Sequence, residues 1–213
     1  MFAYCENNPV NVVDPTGEDA WWLQDTNAVF GCGHTSLLIQ ESKGKWWYFY
    51  WGPNEIRLIY IGTCNLRGNN NRTLNNILHN NRDLFGNQYY KETYNRFIKL
   101  NGNFYNSLVF IAKMLNTSFP AIKKMKDGSL AGYTKYSNNM YNLFSLNCVQ
   151  MSVQALRCGR FSAYPTTYAR LLSYMRTLTV PNDVYDTLIL GNRCIAMYGN
   201  KSYNMMRRFI PGF

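Results

Sequence analysis

Apolar and polar positions follow two different periods along this chain, and the change of period marks its elements. "HTSLLIQ" (34–40) and "KWWYFYWG" (45–52) are aliphatic and aromatic runs of strand length, joined by "ESKG", whose Gly44 suits a hairpin turn. In "EIRLIYIGT" (55–63), Ile56, Leu58 and Tyr60 alternate with Arg57, Ile59 and Ile61, the two-residue period of a third strand. On the second of these strands Tyr48 and Tyr50 share one face, and Trp47, Phe49 and Trp51 the other. A small antiparallel sheet is the economical picture.

Helical spacing comes later. "FYNSLVFIAKMLNT" (104–117) places Leu108, Ile111, Ala112 and Leu115 on one face. "CVQMSVQALRCG" (148–159) sets Cys148, Met151, Ala155 and Cys158 on neighbouring turns and stops at Gly159, a natural C-cap. "YPTTYARLLSYMRTL" (164–178) starts at Pro165 and turns Leu171, Leu172, Met175 and Leu178 to a core. From 65 to 106 the pattern weakens: "RGNNNRTLNNILHNNRD" is dense in turn formers and reads as a loop-rich insertion. One short helix is predicted around 72–80 and a strand near "YNRFIKL" (94–100), with His79 a surface histidine. The tail is predicted to hold a strand at "CIAMYG" (194–199) before the aromatic and basic end "MMRRFIPGF". The fold class expected is therefore α+β, a small antiparallel sheet packed against helices.

Composition narrows this picture to one domain with a connector. The 213 residues are 46% hydrophobic and 16% charged, enough apolar material to fill a core. No run of eighteen apolar residues occurs, and the first twenty residues lack the order of a secretory signal, so the fragment is expected to be soluble and exported only by something outside it. Lys and Arg exceed Asp and Glu by 22 to 12, a formal charge of +10. That sign suits an acidic partner, whether nucleic acid, an anionic membrane surface or an acidic inhibitor protein. The cations, among them Lys43, Lys99, Lys123, Lys124, Arg207 and Arg208, are scattered as on a solvated face. Six cysteines (5, 32, 64, 148, 158, 194) form no CxxC pair and no disulfide-like spacing, and most read as buried thiols. No metal ligand cluster and no cofactor motif is present in the sequence pattern.

Two residues carry candidate chemistry. A thiol becomes a good nucleophile when its pKa falls, and a helix N-terminus favours the thiolate through unpaired N–H groups and the positive dipole end. Cys148 has that position. A histidine from a neighbouring strand can hold the thiolate and later deliver a proton to the leaving group. His34, at the first position of its strand, can do so. A third group should orient the imidazole. The strand paired with that of His34 carries no carboxylate, so Tyr50 is the candidate and Tyr48 the runner-up. The backbone N–H of Cys148, with the Asn147 amide or the next N–H of the helix, would form the oxyanion site.

Two resemblances add to this. "YCENNPVNVVDPTG" (4–17) resembles the segment that ends the core of RHS (rearrangement hotspot) repeat proteins, with its Tyr, Asn-Asn-Pro and Asp-Pro-x-Gly. In that family the segment precedes a variable C-terminal domain, commonly a toxin cut free by the shell's own protease activity. The resemblance implies that residues 1–17 are the tail of an RHS core and its cleavage-site connector, and that 18–213 are the variable domain. It also implies a bacterial source, secretion or delivery into a target cell within a larger RHS protein, and a cognate immunity protein, acidic to suit this basic chain. Second, a His opening a strand, an aromatic strand behind it, and an Asn-Cys opening a helix about a hundred residues later resemble the permuted papain-like group. That group includes permuted NlpC-type peptidases and lecithin retinol acyltransferase-like enzymes. His34 and Cys148 match its motif, and "YPTTYARLL" resembles the Pro-led helix that often follows. The match spans roughly 30–60 and 140–178. Acyltransferase members commonly have a second histidine on the following strand, where this chain is aromatic. The resemblance implies covalent acyl-enzyme chemistry on an amide or ester, by a peptidase, amidase, deamidase or acyltransferase. The alternatives are a basic nuclease-type toxin and a non-catalytic binding domain of papain-like fold.

Overall fold

A strand buried on both faces reads as a continuous apolar run, and "KWWYFYW" is one. In the computed structural model, which describes residues 19–42, 45–53, 55–63, 94–114, 123–124, 130–137, 141–143 and 145–213, six of those seven side chains are buried. The strand lies at the centre of a seven-stranded sheet. Its members are β1 (Ala20–Asp25), β2 (His34–Ser42), β3 (Lys45–Trp51), β4 (Glu55–Thr63), β5 (Arg96–Leu100), β7 (Lys123–Lys124) and β8 (Leu130–Ser137). The spatial order is β5-β1-β2-β3-β4-β8-β7, every pair antiparallel. The three expected strands are all present. Residues 94–100 supply β5, which pairs with the outer edge of β1, so this part of the expected insertion belongs to the sheet. The strands β6 (Gly102–Asn103) and β9 (Arg160–Phe161) form a separate pair.

Helices cover one face of this sheet. They are α1 (Tyr105–Met114), α2 (Cys148–Cys158), α3 (Pro165–Met175), α4 (Pro181–Tyr198) and α5 (Ser202–Phe209). Trp22, Leu37, Trp47, Phe49 and Trp51 pack with Leu108, Val149, Val153, Leu171 and Leu188 in one core. The opposite face gathers Trp21, Leu23, Leu38, Tyr48, Tyr50 and Tyr94 into a second cluster. The division of Tyr48 and Tyr50 from Trp47, Phe49 and Trp51 is thus as the two-residue period requires. The protein is α+β, with an antiparallel sheet and a helical layer.

Two expectations need correction. The strand expected at "CIAMYG" is the end of α4, an eighteen-residue helix led by Pro181. Val184, Leu188, Gly191 and Ile195 are buried along it at spacings of four, three and four. That long helical period outweighs a six-residue apolar run read in isolation. Gly159 does follow α2, but its backbone is extended (φ −84°, ψ 177°), without the left-handed turn of a glycine C-cap. Its reason for being glycine is contact: a Cβ there would meet Phe104 Cδ1 at 2.3 Å.

The RHS-like segment, the Gly44 turn, the helix expected near 72–80, His79, Leu115, Cys5 and Cys64 lie outside the described residues. Among the described residues no helix is long and apolar enough to cross a membrane.

Candidate active site

The first residues of β2 and the first residues of α2 meet at one end of the sheet, and polar side chains tie both down. Asn147 is the N-cap of α2: its Oδ1 accepts from the N–H of Val149 (2.9 Å) and Gln150 (3.3 Å). Gln150 Oε1 in turn accepts the Asn147 N–H at 3.2 Å, completing a capping box. The Asn147 amide nitrogen donates to the carbonyls of Leu143 and Thr179, at 2.8 and 2.7 Å. Gln150 Nε2 donates to Leu178 O, and Trp51 Nε1, at the end of β3, donates to Leu146 O. The α3–α4 connection therefore straps the cysteine end of α2.

The same connection reaches the histidine. Asn182, in the first turn of α4, donates from its backbone to Cys32 O and from its amide to Thr26 O and Gly31 O. Its Oδ1 accepts from the buried Gln24 Nε2 at 3.0 Å. Gly33 lies against this amide pair with φ +92°, and a Cβ there would come within 2.5 Å of both Asn182 Oδ1 and Gln24 Nε2. Only glycine suits both the conformation and the space. The preceding turn carries Val29 and Phe30 in the left-handed region, with the Phe30 ring fully exposed.

Cys148 is 2% exposed and His34 6%. Burial pushes the Cys148 thiol up to about 11, against a weaker downward pull from the backbone of Thr35, Val149 and Cys148 itself. The expected lowering by the helix N-terminus is present in that pull, but desolvation outweighs it. Burial likewise pushes His34 down to about 4. At neutral pH the resting site therefore holds a neutral thiol and a neutral imidazole.

The thiol meets β2 at the Thr35 backbone, next to His34. His34 itself shares the other face of the strand with Ser36 and Leu38. Its Nε2 lies 3.4 Å from Ser36 Oγ, and its ring packs against that of Tyr50, with centroids 4.9 Å apart and planes at 43°. Cys148 thus approaches β2 at Thr35, while the His34 ring lies on the strand's other face beside Ser36 and Tyr50, and no hydrogen bond joins imidazole and thiol.

Tyr50 is beside the imidazole as a ring contact, and the Arg57 guanidinium stands 5.0 Å from the centroid of the Tyr50 ring. Tyr48 stands behind Ser36, hydroxyl to hydroxyl at 3.4 Å. Asn147 uses both amide protons on the Leu143 and Thr179 carbonyls, and its Oδ1 holds the Val149 and Gln150 N–H groups, so with the cap intact the Cys148 N–H is the expected oxyanion donor left at the helix start. Cys32 and Cys158 are exposed, contrary to the expectation of mostly buried thiols, whereas Cys148 and Cys194 are buried; all four are free.

Four residues near the site escaped the sequence reading. Ser36 and Tyr94 adjoin His34 through hydroxyls. Asp25 is the register partner of His34 on β1, its Oδ1 accepting from the Asn27 N–H at 2.9 Å. Tyr141 has its phenol pushed up to about 12, by burial first and by the charge of Cys148 second, which places it in the electrostatic reach of the sulfur. The alternation of β2 could have suggested Ser36; pairing with β1 and the position of Tyr94 and Tyr141 leave no local pattern.

Among known proteins, no family model, no curated protein and no solved structure matches the chain. The class that fold and site define is an α+β protein with a buried cysteine at a capped helix start, beside a strand opened by histidine.

Proposed function

We propose that this chain is a cysteine-dependent acyl-transfer enzyme, the toxin domain of an RHS-type effector, with a permuted papain-like arrangement of its sheet and cysteine helix. The observation that carries the reading is the setting of Cys148, the first residue of a capped helix, where the backbone of Thr35, Val149 and Cys148 itself favours the thiolate against burial. Such a setting favours negative charge on sulfur or on an adjacent oxygen. The immunity protein, the RHS shell and delivery to a target cell belong to the same proposal.

With both groups neutral at rest, His34 acts as general base at the moment of attack. The S–H proton passes to the imidazole while sulfur bonds to an amide or ester carbonyl carbon, and the C=O electron pair moves onto oxygen. The Cys148 N–H receives that oxyanion. Collapse expels the amine or alcohol, which takes the proton from the imidazolium, and leaves a thioester. Water or an acceptor, deprotonated by His34, then releases the acyl group and restores the thiol.

The test is acylation by a panel of activated esters and amides, read by intact mass and located by peptide mapping in a Cys32→Ser/Cys158→Ser background. The expected adduct is on Cys148, absent in Cys148→Ala and slowed about 10²- to 10⁴-fold in His34→Ala. Toxicity that survives Cys148→Ala would sink this reading and favour the nucleic-acid alternative.

A further inference from the structure

We propose that Ser36, held in place by Tyr94 and Tyr48, is the positioning residue that fixes the tautomer of His34; the inference rests on the acyl-transfer reading for its purpose, but not for its geometry. Residues two apart on a strand share a face, so β2 sets Ser36 directly beside the imidazole. Ser36 Oγ lies 3.4 Å from His34 Nε2, 2.6 Å from the Tyr94 hydroxyl and 3.4 Å from that of Tyr48. The two tyrosine hydroxyls are 2.9 Å apart. Ser36, Tyr48 and Tyr94 are each 0% exposed.

These three hydroxyls contact one another, and where Ser36 sends its one proton decides what it can offer His34. Each hydroxyl has one proton and two lone pairs. The shortest side runs from Tyr94 as donor to Ser36 as acceptor, the direction expected between a phenol, the stronger acid, and an alkyl hydroxyl. Continued round the triangle, Tyr48 donates to Tyr94 and Ser36 to Tyr48. Ser36 then has a second lone pair to offer and no proton to give, so it accepts from Nε2–H. The neutral imidazole carries its proton on Nε2 and keeps its lone pair on Nδ1, which has no hydrogen-bond partner among the described residues. That lone pair is the base the imidazole has to offer. In the opposite sense Ser36 would give its one proton to Tyr94 and would again have only a lone pair for Nε2; only a Ser36 proton turned out of the triangle onto Nε2 would put the ring proton on Nδ1. The 3.4 Å separation is at the long limit of a hydrogen bond and shortens as the imidazolium forms, since a charged donor makes the stronger bond.

The chain has two histidines, so ¹⁵N-histidine labelling of the whole protein gives a spectrum with two rings to assign. At neutral pH His34 is expected as a single tautomer, Nε2 protonated and Nδ1 unprotonated. Ser36→Ala and Tyr94→Phe are each expected to introduce the second tautomer, Ser36→Thr to retain the first, and Asp25→Asn to leave the spectrum unchanged. If Ser36→Ala does not fold, Tyr94→Phe carries the test, because it removes the donor to Ser36 and leaves a ring in the same space. An Nδ1–H tautomer in the wild type overturns the proposal, as does a spectrum indifferent to Tyr94→Phe or one that collapses in Asp25→Asn alone. The two readings separate cleanly: a fixed Nε2–H tautomer with an inert Cys148 leaves this inference standing and removes the acyl-transfer reading, whereas averaged tautomers with an acylated Cys148 do the reverse.

Discussion

His34 and Cys148 are both buried as neutral groups, and that makes the stability of the fold depend on pH at each end of the range. For His34 the folded pKa, about 4, lies below the ordinary 6.5. The unfolded chain then binds more protons between those values, so stability is full above 6.5 and is lost as pH falls toward 4. The loss from this residue is on the order of 3 kcal/mol at 1.36 kcal/mol per unit. Urea titrations at pH 7 and 4.5 should show it, and His34→Gln should lessen the difference between the two. For Cys148 the folded value, about 11, lies above the ordinary 9.0. Its contribution is intact below pH 9 and is lost as pH rises toward 11, with Cys148→Ala flattening that alkaline limb. Gly33→Ala is expected to push Asn182 or Gln24 aside and so displace His34, lowering the melting temperature and the acylation rate together. An acylation rate unchanged in Gly33→Ala would contradict this coupling. His34 and Cys148 stand out in sequence by residue type and by their places at the start of elements. Their protonation does not, because burial is set by what packs over them.

At the scale of elements, α2 depends on Asn147 for more than its cap. Replacing an N-cap by Ala costs about 1 kcal/mol in general. Here the same change also orphans the carbonyls of Leu143 and Thr179. Asn147→Ala should therefore cost more than an ordinary cap, about 2–4 kcal/mol with the lost hydrogen bonds included. Asn147→Asp keeps the two acceptances and loses both donations, so it should fall between wild type and Asn147→Ala in urea denaturation; equality with wild type would show the strap to be dispensable. Gly159→Ala should cost about 1–3 kcal/mol, as overpacking against Phe104 does. The helix α2 was legible from its spacing, its Asn-Cys start and Gly159, although the glycine serves a contact rather than a left-handed cap. The strand β1 was not legible: "AWWLQD" has no alternation to read, because both its tryptophans are buried, one on each face. The helix α4 was not expected at all: six apolar-rich residues at its C-terminal end look like a strand until the register from Pro181 is followed.

For the molecule as a whole, β2 and β3 are central in the sheet, with β5 and β7 at its edges. Amide exchange should be slowest in β2 and β3, through global unfolding, and faster in β5, whose ladder has one partner. Protection in β5 equal to that in β3 would show the sheet opening only as one unit. The charge of +10 acts at this scale too. Binding of the proposed acidic immunity protein should weaken steeply as salt rises from 50 to 500 mM, chiefly through the association rate. A salt-independent affinity would point to an apolar interface instead.

What the sequence determined by itself is the local periods: the central strands, the amphipathic helices, and a histidine and a cysteine each at the start of an element. These follow from neighbours within a turn or two of chain, where side-chain spacing and backbone preference act directly. The tertiary structure alone decided that both groups are neutral, that Asn182 and Asn147 bind the site to the α3–α4 connection, and that Ser36, Tyr48 and Tyr94 stand behind the imidazole. Desolvation and hydrogen bonding depend on distances between residues far apart in the chain, and no local pattern of apolar and polar positions carries those distances.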